Sequence, residues 1–154
     1  MKARSIIVAV AVCCLAVSIC SAQSAHMGTW KLNESKSNLP AGVTKNTSVA
    51  YEAAGDKIKV TVDGVDGSGK PVHSEWTGKF DGKDYPVTGD ALSTTRSYKM
   101  INDHAMELTN KKDGKVTMSG RIELSADGKS RTVTVSGTNP SGAKVNYSAV
   151  YDKQ

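Results

Sequence analysis

The 154-residue sequence predicts an all-β fold, an antiparallel up-and-down meander of eight to ten strands closed into a barrel. Three observations predict it. Apolar and polar side chains alternate along successive short segments, turn chemistry recurs every eight to fourteen residues or so, and no helical period is found beyond residue 25. A sheet built this way must close or leave sticky edges, and strands joined in chain order close most simply as an up-and-down barrel. A two-sheet sandwich is the competing architecture. It normally needs Greek-key crossovers, and uniformly short turns leave no connection long enough to make one.

The chain opens with a leader. Lys2 and Arg4 give a positive start, residues 6–20 form an apolar run, and Ser21-Ala22-Gln23-Ser24-Ala25 supplies the small side chains that signal peptidase requires. We therefore expect residues 1–25 to be a cleaved signal peptide and residues 26–154 to be a single domain, exported to the periplasm or the medium. The apolar run is shorter than the twenty or so residues of a membrane-spanning helix, and no stop-transfer pattern follows it. Ile19 is bulky where a lipidation signal at Cys20 wants a small residue, which argues against a lipoprotein. Cys13, Cys14 and Cys20 all fall in the leader, so the expected domain has no thiol and no disulfide.

Without Lys2 and Arg4 the balance is 18 basic to 15 acidic side chains. The lysines stand singly beside turns and alternate with aspartates, which is not a nucleic-acid footprint. The large apolar residues are mostly valine, with two Trp, five Tyr and one Phe. That lean core suits strands better than helices.

The elements follow in order. Gly28-Thr29-Trp30 heads the first strand, and its indole is placed to plug one end of the barrel. Residues 34–46, with Pro40-Ala41-Gly42, read as the one longer non-strand segment and as a strap over a mouth. Ile58, Val60 and Val62 alternate with Lys57, Lys59 and Thr61, and Val72, Trp76 and Phe80 with His73, Glu75 and Lys79. Arg96 shares a face with Tyr98 and Met100. Val116, Met118, Ile122 and Leu124 oppose Thr117, Ser119, Arg121 and Glu123; Arg131, Val133 and Val135 oppose Thr132, Thr134 and Ser136; Tyr147, Ala149 and Tyr151 close the chain on one face. Gly55-Asp56, Asp66-Gly67, Asp81-Gly82, Gly89-Asp90, Asn102-Asp103, Asp113-Gly114, Asp127-Gly128 and Ser141-Gly142 punctuate these runs, because Asp and Asn bond the local backbone and Gly accepts positive φ.

Gly28-Thr29-Trp30-Lys31-Leu32 at the head of a meander of this length resembles the calycin superfamily: lipocalins, fatty-acid-binding proteins and avidin-type barrels. The ending Asn146-Tyr147-Ser148-Ala149-Val150-Tyr151-Asp152-Lys153 is similar to the closing strand of fatty-acid-binding proteins, and the whole resembles a small exported bacterial member. The resemblance implies a barrel that binds a small hydrophobic or amphipathic molecule. The chain also departs from the pattern. Ala149 stands where fatty-acid-binding proteins carry an arginine for the ligand carboxylate, the segment after Trp30 is too short for their helical lid, no Thr-Asp-Tyr motif of true lipocalins is present, and only Trp30 and Trp76 are available against the several tryptophans of an avidin.

Arg96 and Arg131 are the candidate anion anchors, since an inward guanidinium demands a carboxylate, water or an anionic ligand. Each can instead serve structurally by stacking on the Gly-x-Trp indole. Tyr98, Trp76, Phe80, Tyr147 and Tyr151 are the candidate cavity-lining residues, with core packing as their other reading. Gly28 and Trp30 are assigned to the plug. His26, His73 and His104 are scattered, no carboxylate pair has metal-ligand spacing, and the Asp-Gly turns lack the calcium-loop pattern, so we expect neither metal nor cofactor. No nucleophile elbow, P-loop or dinucleotide fingerprint occurs, and we expect no enzyme. Asn33, Asn46 and Asn146 each begin an Asn-x-Ser match, which matters only if the source glycosylates exported proteins. Two functions remain: a binding barrel for a small apolar or amphipathic molecule, or an interaction module such as a protease inhibitor or envelope accessory protein with a side-chain-filled barrel.

Overall fold

The computed structural model describes residues 23–138 and 141–154. The expected leader lies outside the described residues as far as residue 22. Ten strands run in chain order: β1 (Gly28–Asn38), β2 (Lys45–Ala54), β3 (Lys57–Val65), β4 (Pro71–Gly78), β5 (Tyr85–Thr88), β6 (Thr95–Asn102), β7 (Ala105–Lys112), β8 (Lys115–Leu124), β9 (Ser130–Thr138) and β10 (Lys144–Lys153). Each pairs antiparallel with its neighbour in sequence, and β1 pairs with β10 to close the barrel. Closure leaves no edge strand to pair with another chain.

The alternation read from the sequence places the core. Trp30, Val49, Tyr51, Ile58, Val60, Val62, Trp76, Tyr98, Met106, Leu108, Ile122, Leu124, Ala149 and Tyr151 are buried and form one cluster inside the barrel. Their outward neighbours Lys57, Thr77, Lys99, Glu107, Arg121 and Glu123 are exposed. Turn glycines act as expected. Gly55, Gly114 and Gly128 adopt φ of 66°, 78° and 67° in tight hairpins.

Two expectations are corrected. The segment 34–46 is not a strap, because β1 runs on to Asn38 and β2 resumes at Lys45. The register with β10 shifts between Asn33 and Asn38, and Ser37 repairs the ladder there: its Oγ donates to Asn33 O at 2.7 Å and accepts from Val150 N at 2.8 Å. A serine hydroxyl can replace a main-chain partner, so a polar stretch that reads as a loop remains strand. Val116 is not on the inner face. A register shift places Asn110 opposite Met118 but Lys111 opposite Val116, leaving Thr117 as the extra residue, and Val116 turns outward at 60% exposure. One inserted residue reverses the side-chain parity of the strand beyond it.

Candidate functional site

Register sorts the inward side chains of β6–β10 into tiers. Arg96, Asn110, Met118, Gly137 and Val145 pair in succession around the barrel at the mouth; Tyr98, Leu108, Gly120, Val135 and Tyr147 lie one tier down; Leu124, Arg131 and Tyr151 sit near the opposite, plugged end. Both candidate arginines point inward and are buried, Arg96 at 7% exposure and Arg131 at 2%. Their environments differ.

At the plugged end Arg131 is surrounded by aromatic rings. Its guanidinium carbon is 4.7 Å from the Trp30 ring centroid, 4.9 Å from that of Tyr51 and 5.1 Å from that of Tyr151. Such stacking offsets part of the cost of burying a cation, since the negative ring faces solvate it. Trp30, with no exposed surface, donates its indole Nε1–H to His26 O at 3.0 Å. His26 belongs to a helical turn over residues 23–26 that lies against this end, with Ala25 and Met27 packed on the core. Lys153 donates to Ala25 O at 3.1 Å and lies 5.1 Å from the Trp30 ring. Burial first, then the charges of Arg131, His104 and Lys153, lower the pKa of His26 from 6.5 to about 4, so the ring is neutral at pH 7.

Between the two arginines lies an aromatic cluster. Trp76 meets Tyr98 edge-on at 4.8 Å between centroids and Tyr85 at 5.7 Å, stacks with Phe80 at 6.3 Å, and donates Nε1–H to Arg96 O at 2.8 Å. Tyr51 completes it, edge-on to Phe80 and Tyr98. Trp76 and Tyr98 are thus closed into the core, and Phe80 packs against it. Gly78 makes the cluster possible, because a Cβ there would stand 2.5 Å from Trp76 Cζ2 and from Tyr85 Cγ.

At the mouth Arg96 donates Nε–H to Asn110 Oδ1 at 2.9 Å and Nη2–H to Asp90 Oδ2 at 3.1 Å. The other Asp90 oxygen accepts Leu92 N at 2.9 Å, an Asx turn that holds the 89–94 connection over the mouth. Burial alone would lower the Arg96 pKa, but Tyr98 and Asp90 outweigh it and hold it above its ordinary value. Tyr147 stands near the same carboxylate; burial and then the Asp90 charge raise its pKa. Opposite Arg96, the wall of β8–β10 is thinner. Gly120 and Gly137 occupy two inward positions without side chains, and Met118, Val145 and Tyr147 are only half-buried, whereas Ile122, Ala149 and Tyr151 further along the same strands are buried.

The sequence reading missed Asp90 and His26. Gly89-Asp90 registered only as a turn, and nothing local tells that its carboxylate folds back onto a strand. Among the described residues no group of three His, Cys, Asp or Glu side chains is arranged to hold a metal ion.

No family model matches this chain, nor does any curated protein. A solved structure does. EF1p2_mFAP2b bound to DFHBI superposes with a TM-score of 0.51 at 9% identity, covering 89% of this chain and all of that one. The likeness is one of fold. It supports the closed antiparallel barrel.

Proposed function

We propose that this protein is a non-enzymatic binding barrel that takes a small amphipathic molecule at its mouth, headgroup towards Arg96 and apolar part along Met118, Val145 and Tyr147. The observation that carries the reading is the contrast between the two ends. Side chains fill the plugged half, while the mouth pairs a buried guanidinium with a glycine-lined, half-buried apolar wall. Asp90 occupies Arg96 as a ligand carboxylate would, so binding requires exchange of one carboxylate for another. The likeness in fold to a barrel bound to DFHBI is consistent with this reading. The leader further suggests that the mature chain works outside the cytoplasm.

Displacement of a fluorescent fatty acid tests the proposal. Binding should be abolished in Arg96→Met and strengthened in Asp90→Asn, where the internal competitor has lost its charge. Failure of the wild-type barrel to bind any amphipathic carboxylate would overturn the reading for that class. The filled plugged half favours the second reading, an interaction module working through its loops, and that outcome would leave it ahead.

A further inference from the structure

The plugged end holds buried hydrogen-bonding groups that the mouth site does not use. Nε and Nη1 of Arg131, and both ring nitrogens of His26, are fully buried and find no hydrogen-bond partner among the described residues. Both residues meet one indole: the Arg131 guanidinium stacks on Trp30, and the main-chain carbonyl of His26 accepts the Trp30 Nε1–H. The rings of Trp30, Tyr51 and Tyr151 solvate the Arg131 charge, but they supply no oxygen or nitrogen acceptor to Nε or Nη1. Buried donors left this way are destabilising, more so when charged, and such groups are rare in native structures unless water or an ion meets them.

Charge distinguishes water from an ion. The ionisable groups that perturb His26 are Arg131 from β9, His104 from the β6–β7 turn and Lys153 from β10, all cationic or neutral. The nearby carboxylates are engaged on the outer face: Asp152 accepts from Asn33 Nδ2 at 2.6 Å, and Glu123 accepts from Arg121 Nε at 2.8 Å. Arg96 has Asp90, but among the described residues Arg131 has no carboxylate partner, so the described interior carries an uncompensated positive charge at this end. Water would satisfy the donors without offsetting that charge; an anion would do both.

We infer that the plugged end binds a small monovalent inorganic anion of halide size beside Nε and Nη1 of Arg131, beneath Trp30 and His26. Small size follows from closure, since Trp30 and His26 have no exposed surface and Arg131 has 2%. The anion is part of the folded barrel, independent of whatever the mouth takes.

Thermal unfolding of the protein, in sodium chloride or bromide against sodium gluconate at constant ionic strength, tests this. A ligand that binds only the folded state raises the midpoint steadily with the logarithm of its concentration. We expect that rise in chloride and bromide, a flat response in gluconate, and no halide-specific rise in Arg131→Met. Bromide-soaked wild-type crystals, which need no variant to fold, should show an anomalous peak beside Arg131 Nε and Nη1. Equal midpoints in halide and gluconate, a halide response that survives in Arg131→Met, or a soaked crystal with no bromide at this position would each overturn the inference and assign the donors to buried water.

Discussion

Replacing Trp30 by alanine should destabilise the barrel more than any other single truncation at the plugged end. The indole has no exposed surface, caps the β1–β10 closure, stacks on Arg131 and bonds His26 O at 3.0 Å. Emptying a buried tryptophan site costs about 3–5 kcal/mol through lost transfer energy and the cavity left behind. The variant also removes one of the three rings over Arg131 and leaves the His26 carbonyl without its donor, which places the expected loss in the upper part of that range. A domain of this size is stable by about 5–15 kcal/mol in total, so the loss consumes a large share of it. Trp30→Phe separates the terms: it keeps most of the ring contact but not the hydrogen bond, and should cost about 1–3 kcal/mol. Urea titrations followed by far-ultraviolet circular dichroism measure both, with Trp76 as an independent fluorescence probe. A loss below about 1 kcal/mol for Trp30→Ala would show that Trp30 does not plug the barrel and would refute the account of this end.

Stability should also fall on mild acidification. His26 stays neutral in the fold down to about pH 4 but takes a proton in the unfolded chain below about 6.5, so unfolding is favoured as pH falls across that window, by about 2 kcal/mol at pH 5; a His26→Phe variant whose urea midpoints show the wild-type slope between pH 7 and 5 would contradict this. Gly78→Ala should cost about 1–3 kcal/mol and alter the near-ultraviolet circular dichroism of the Trp76 cluster, because the new methyl group overlaps Trp76 and Tyr85; an unchanged spectrum and midpoint would mean the cluster repacks freely. Asp90→Asn should lower stability by about 1–3 kcal/mol while raising affinity for an amphipathic carboxylate, and a parallel fall in both would show that Asp90 supports the site rather than competing for it. Intact-mass analysis of exported protein should find a start between Gln23 and His26; a lipidated Cys20 would place the protein on a membrane instead.

Much of this protein is legible in the sequence because much of it is set by local parity. In a strand, successive side chains face opposite ways, so the inward set of β3, β4, β6, β9 and β10, including Trp76, Arg96, Arg131 and Tyr151, follows from counting by twos, and the Asp-Gly and Gly-Asp pairs mark turns between strands. Composition and turn length then select a meander, and a meander of ten strands selects a closed barrel. Parity fails wherever a partner strand intervenes. The extra residue at Thr117 sends Val116 outward because β7 fixes the register there, and Ser37 keeps β1 a strand because β10 supplies a donor to its hydroxyl. The chemistry of the two arginines was likewise decided by closure. Trp30, Tyr51 and Tyr151 reach Arg131 from three strands, Asp90 folds back onto Arg96 from a connection six residues earlier, and His26 is sealed in by contacts with the far end of the chain. Local sequence determines the side-chain alternation within an uninterrupted strand; only the closed barrel determines where register shifts reverse it and which inward side chains meet, because ring closure brings together residues whose separation along the chain carries no local signal.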